Sequence, residues 1–131
     1  MCSRNVEQVR FSRSAMLKVP LATKRWRDFV PILMRLVQQY YPSHKLEFHE
    51  LEKQFAELEL RGLLPRGERL VPIAGREPAN TIVWQCRFDS LSAAESALKQ
   101  IELSDEHTAL AKKQHPMFQQ SFVEFYGILD Y

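Results

Sequence analysis

Eight residues constrain this chain more than any others: Thr81-Ile82-Val83-Trp84-Gln85-Cys86-Arg87-Phe88. They alternate strictly. Ile82, Trp84, Cys86 and Phe88 point one way, and Thr81, Val83, Gln85 and Arg87 the other, which is the two-residue period of a β-strand. A strand with one wholly apolar face needs a layer to cover it, and the chain supplies one at once. Ser92 and Glu95 make a capping box, in which each side chain can satisfy a free backbone N–H of a helix's first turn. Ala94, Leu98 and Ile101 then form a helical stripe. Ser104 reads as a fresh cap, and Ala109, Leu110 and Ala111 continue in helical spacing to His115-Pro116. A strand that runs straight into a covering helix is the unit from which an α+β layer fold is built.

The remaining elements are read the same way. Over 9–19, Val9, Phe11, Ala15, Leu17 and Val19 share a face, with Arg13 interrupting it and Pro20 ending it, so a first strand is expected there. From Thr23, the residues Trp26, Phe29, Val30, Leu33, Leu36, Val37 and Tyr40 follow three-and-four spacing, predicting a helix. Pro31 either kinks it or lies in the first turn of a helix that begins near Asp28. Beyond Pro42, Ser43 is a plausible cap for a second helix. Its seam is Phe48, Leu51, Phe55 and Leu58, its other positions are filled by Glu47, Glu50, Glu52, Lys53, Glu57 and Glu59, and Gly62 takes the left-handed terminal position. Residues 69–74 read as a strand in which Pro72 demands an edge or a bulge. The run 121–129 is apolar on both sides, so it is a strand covered on both sides.

The order is strand, helix, extra helix, strand, strand, helix, strand. Without the extra helix it is βαββαβ, the ferredoxin-like pattern, which lays two helices on one face of a four-stranded antiparallel sheet. The expectation is therefore an α+β fold of one domain over 1–131, with 44–62 as a helical insertion. The other sheet face carries Val83, and an apolar sheet face is an association site. Two copies packed sheet to sheet would close a dimeric α/β barrel, so a homodimer is expected. With 131 residues and 45% hydrophobic content the chain can form a core without metal or disulfides. Cys2 and Cys86 are too few for a disulfide scaffold, and no apolar run approaches the ~20 residues of a membrane span. The N-terminus has no apolar signal region, so the cytoplasm is expected. A formal charge of +2, with Lys24, Arg25 and Arg27 as the main cluster, argues against a nucleic-acid partner; solvated helix faces account for such clusters.

Two stretches carry a resemblance. Leu63-Leu64-Pro65-Arg66-Gly67-Glu68-Arg69-Leu70-Val71-Pro72-Ile73-Ala74-Gly75 and Asn80-Thr81-Ile82-Val83-Trp84-Gln85-Cys86-Arg87-Phe88-Asp89-Ser90-Leu91 resemble the dimeric α/β-barrel superfamily, and within it NIPSNAP-like bacterial proteins. A strand ending in an aromatic, then Ser-Leu and an Ala/Glu-rich helix, is similar to their usual signature. Asp105-Glu106-His107 and Phe125-Tyr126 fit it as well. The resemblance spans roughly 9–41 and 63–130 and leaves 44–61 outside it. Its motifs imply fold more than function, in a superfamily that includes heme-degrading and quinol-type monooxygenases and small lyases or isomerases. The heme-degrading branch uses an Asn on the first strand, a Trp ending the third and a His on the following helix. Here 10–17 holds no Asn, the strand ends in Phe88, and 92–103 holds no His. Those three departures argue against that activity.

The four histidines, His44, His49, His107 and His115, form no close ligand pair, and exposed helix positions are their expected settings. No phosphate loop, dinucleotide fingerprint or nucleophile elbow is present, and no cofactor is implied. The residues left as ligand-binding candidates are Arg13, Gln85, Arg87 and Tyr126, with Trp84 beneath the helices. Arg13 or Arg87 paired with Glu124 is the ordinary structural role; a site for an anionic or oxygenated small molecule is the functional one. For Trp84 the same choice lies between core packing and ligand stacking. At this level two readings stand. One is a small-molecule-binding or cofactor-independent monooxygenase- or isomerase-like domain with a cleft between sheet and helices. The other is a non-enzymatic interaction module of NIPSNAP type whose helical seam docks a partner.

Overall fold

The computed structural model describes residues 29–131. Within them the chain runs β1 (Ile32–Tyr40), a 3-10 turn (Pro42–His44), α1 (Lys45–Leu60), β2 (Glu68–Leu70), β3 (Thr81–Phe88), α2 (Leu91–Leu103), α3 (Asp105–Gln114), a second 3-10 turn (His115–Met117) and β4 (Phe118–Gly127). The sheet order is β2-β3-β1-β4 with every neighbouring pair antiparallel, which is the ferredoxin-like arrangement. The expected strand over 9–19 lies outside the described residues.

The segment expected to continue as a helix to Tyr40 is the central strand, and its position explains the conflict. β1 pairs with β3 on one side and β4 on the other, from Ile32↔Phe88 and Ile32↔Gly127 onward. A central strand with apolar residues on both faces loses clean alternation. Ile32, Met34, Leu36 and Tyr40 take the helix side, and Leu33 and Val37 the other. The union of those two sets contains Leu33, Leu36, Val37 and Tyr40, a helical spacing by coincidence. The helix at 45–60 is accordingly no insertion. It is the crossover that connects β1 to β2, the first helix of the pattern.

Local chemistry fixes the ends of the other elements, in part at residues other than those expected. α1 ends at a glycine with φ 77°, Gly62, whose N–H donates to Glu59 O while Leu63 N–H donates to Leu58 O, both at 3.0 Å. Ser43 does not cap α1; the N-cap is His44, without a side-chain bond. Ser90, rather than Ser92, caps α2 by accepting from Ala93 N–H at 3.1 Å. Ser104 caps α3 by accepting from His107 N–H at 3.2 Å. Asp105 and Glu106 at the start of α3 and Lys112 and Lys113 at its end complement the helix dipole. β2 is shorter than expected. Only Glu68–Leu70 pairs with β3, and Pro72 lies beyond the ladder it could not have joined.

The core lies between the helices and one sheet face. Met34, Trp84, Cys86 and Leu98 form one buried cluster; Tyr40, Phe48, Leu51, Ile82 and Met117 form a second. Phe48 is fully buried, stacked on Tyr40 with centroids 4.8 Å apart and edge-on to Phe118 at 5.4 Å. The whole α1 seam is thus buried: Phe48 and Leu51 pack with Tyr40 and Ile82 of the sheet, and Phe55 and Leu58 with Leu64 beside Ile101, Leu110 and Ala111 of the other helices. No helix among the described residues is long and apolar enough to cross a membrane.

Candidate functional site

Sheet and helices do not close completely. Between α1, the α2–α3 pair and the sheet lies a cleft of about 80 Å³. Its walls are mostly apolar, with Met34, Leu36, Phe55, Leu98, Ile101 and Val123 among them. One end is polar: Gln38, Glu52, Glu59, Arg69 and Gln114 line it beside Trp84.

The backbone explains why those charges meet. On α1, Glu52 and Glu59 are two turns apart, so they share one edge of the seam made by Phe48, Leu51, Phe55 and Leu58. On the edge strand β2, alternation turns Glu68 and Leu70 away from the helices and Arg69 towards them. Arg69 Nε donates to Glu52 Oε2 at 2.7 Å, and its Nη2 to Glu59 Oε2 at 2.6 Å. Burial works against the guanidinium's charge, but the two glutamates outweigh it and raise the Arg69 pKa further. Glu59 Oε1 accepts from Gly67 N–H at 2.9 Å and from the Trp84 indole at 3.1 Å. Glu52 Oε1 accepts from Gln114 Nε2 at 2.8 Å. Both glutamate side chains are almost wholly buried, at 6% and 5% exposure, and Arg69 at 22% reaches solvent.

Two further groups complete the site. His107 lines the cleft with its ring 5.2 Å from that of Phe55, and burial pushes its pKa down to about 4, so the imidazole is neutral at pH 7. This corrects the expectation of an exposed helix histidine. Gln38 is 2% exposed, and its Nε2 has no hydrogen-bond partner among the described residues. Below them, the Cys86 thiol donates to Arg66 O at 3.3 Å; burial first, and the Glu59 charge second, raise its pKa. Both effects favour the thiol over the thiolate. The cleft can therefore accept and donate hydrogen bonds at one end and sheathe an apolar body at the other.

The residues singled out from the sequence are divided by the sheet. Trp84 lines the cleft. Gln85, Arg87 and Tyr126 share the opposite face, and Arg13 lies outside the described residues. Gln85 Nε2 donates to Glu68 Oε1 at 2.7 Å, and Arg87 is exposed. The guanidinium at Glu124 belongs to Arg35, not Arg87. Register sets Arg35 opposite Glu124, the two are 3.5 Å apart, and Tyr126 donates its hydroxyl to the same carboxylate at 2.9 Å. The cleft's own polar residues were missed because Glu52 and Glu59 sit among solvent-facing glutamates in sequence. Their seven-residue separation, in step with Phe48 to Phe55 and Leu51 to Leu58, was the available signal.

No protein-family profile and no curated protein matches the chain. Solved structures do. A NIPSNAP family protein from Agrobacterium tumefaciens superposes with TM-score 0.67 at 11% identity, covering 82% of this chain and 94% of that one. A NIPSNAP-like domain protein from Burkholderia xenovorans gives 0.65 at 13%, covering 79% and 89%. A protein of antibiotic-biosynthesis-monooxygenase type from Nitrosomonas europaea gives 0.59 at 11%, covering 81% and 96%. Identities this low carry the architecture alone. Strand order, crossover helix and superposition together identify a NIPSNAP-like, ferredoxin-like α+β fold, the one that the stretches at 63–75 and 80–91 resemble.

Proposed function

We propose that this protein is a cytoplasmic, single-domain homodimer whose cleft between sheet and helices binds a small organic molecule. The observation that carries this reading is a cleft that has both apolar walls and a buried polar end with an unpartnered amide, Gln38. Ligand sites are concave, mostly apolar and furnished with a few fixed polar groups. The volume of about 80 Å³ encloses only a few heavy atoms. A larger ligand would leave part of itself in the mouth.

The interaction-module alternative drew its docking surface from Phe48, Leu51, Phe55 and Leu58. All four are buried in the core, which weighs against it. Cofactor-independent turnover is compatible with the cleft, since a neutral His107 is a proton acceptor at pH 7. The monooxygenase-type neighbours support that class by fold analogy only. β1 holds no Asn and α2 no His, so the heme-degrading pattern is missing from the observed elements too.

Native mass spectrometry of the purified protein, repeated after denaturation, tests the reading. The expected result is a dimer with an added mass, native or taken up from a small-molecule library, that disappears on denaturation. Failure of every library compound to add mass or raise the melting temperature would overturn it.

A further inference from the structure

The polar end of the cleft is unbalanced. Two glutamates, Glu52 and Glu59, face one arginine, Arg69, and the other titratable group in the lining, His107, adds no positive charge at neutral pH. One acidic group is therefore in formal excess, in a place where both carboxylates are almost wholly withdrawn from water. Buried carboxylates require compensation by a cation or by hydrogen-bond donors. Glu59 has it: three hydrogen bonds, from Arg69, Gly67 and Trp84, engage both its oxygens. Glu52 has less, with one bond from Arg69 and one from Gln114. Independently of the acids, the Gln38 Nε2 donor lies 2% exposed in the same lining and lacks an acceptor. An unmet buried amide is costly, and a molecule presenting an oxygen would meet it.

We infer that the cleft's ligand is a small organic cation: an ammonium group that completes the shell of Glu52, with a hydroxyl or carbonyl oxygen for Gln38 on a short apolar chain. This rests on the cleft reading and gives it a chemical class. It also differs from the sequence-based alternative of an anionic or oxygenated molecule held at Arg13 or Arg87: the oxygen is kept, the anion is not. The one arginine in the lining is already engaged by two carboxylates, so a carboxylate or phosphate entering here meets repulsion without a free partner.

Three probes of nearly equal shape separate the possibilities: 3-aminopropan-1-ol, propane-1,3-diol and 3-hydroxypropanoate, each titrated into the wild-type protein at pH 7. The Trp84 indole N–H resonance reports on the Glu59 end, and the Gln38 side-chain amide on the other. Expected is saturable movement of both signals, with the amine binding at least tenfold tighter than the diol and the acid moving neither. Glu52→Gln should remove most of the amine's advantage while leaving the diol unchanged. Gln38→Leu should weaken amine and diol alike. The wild-type comparison stands even where a variant fails to fold. If the diol or the acid binds as well as the amine, the cation assignment is overturned while the cleft reading survives. If no probe of any charge moves either signal, the cleft reading fails and the assignment with it.

Discussion

Arg69 shows how much one side chain can be asked to do in a fold this small. It neutralises two buried carboxylates from a strand three residues long. Replacing it with methionine keeps much of the stem's packing but leaves Glu52 and Glu59 together without a cation. The expected cost is about 2–4 kcal/mol by urea unfolding, below the range for a fully buried pair because the guanidinium reaches solvent. His107 makes a different prediction. Its folded pKa of about 4 lies below the usual 6.5, so between those values the unfolded chain holds a proton that the folded chain does not. Its contribution is therefore fully present above pH 6.5 and is lost as pH falls through 4, by about 3 kcal/mol at most. The wild-type stability profile should steepen over that window relative to His107→Leu. Parallel profiles from pH 7 to 4 would show the imidazole to be solvated.

At the scale of elements, the α1–β2 connection is the most tightly specified. Gly62 reverses the chain in a left-handed conformation, and Gly67 brings the backbone against the Trp84 indole, close enough for its N–H to reach Glu59. A Cβ at Gly67 would collide with the Trp84 ring and come within 2.7 Å of Gln85 O. Gly67→Ala is therefore expected to cost about 2 kcal/mol or more and to shift Trp84 fluorescence, through overpacking. Gly62→Ala meets no neighbouring atom and should cost only the left-handed strain, about 1 kcal/mol. A larger loss at Gly62 than at Gly67, in thermal melts, would contradict this account. β3 and α3 stand where alternation and cap predicted them, and α2 follows its predicted stripe from a different cap, Ser90. β1 did not, because it is apolar on both faces, whereas β3 keeps Ile82, Trp84 and Cys86 in step on one face against Thr81, Gln85 and Arg87 on the other.

For the whole molecule, the expected assembly is a pair joined through the sheet face that bears Leu33, Val37, Val83 and Phe122. Within the single chain Val37 and Val83 are already buried, so the association rests on the half-buried Leu33 and Phe122 beside them. Light scattering should return twice the chain mass. Phe122→Arg should return the single-chain mass with an unchanged far-ultraviolet spectrum, since Phe122 lies opposite Val37 on that face. A wild-type monomer would remove the dimer from the proposal and leave the cleft untouched. The cleft belongs to one copy, on the far side of the sheet.

Local chemistry alone determined a good part of this protein. Thr81–Phe88 had to be a strand, and Ser104 and Gly62 had to punctuate helices. Those features depend on neighbours a few residues away. Tertiary structure alone decided that Ile32–Tyr40 is a central strand and that 45–60 is a crossover. It also decided that Glu52, Glu59 and Arg69 leave water together. A strand with apolar residues on both faces carries no clean period of its own. Likewise, a glutamate on a helix is indistinguishable from its solvated neighbours until a partner 17 residues away in the chain, Arg69 for Glu52, arrives on the adjoining strand.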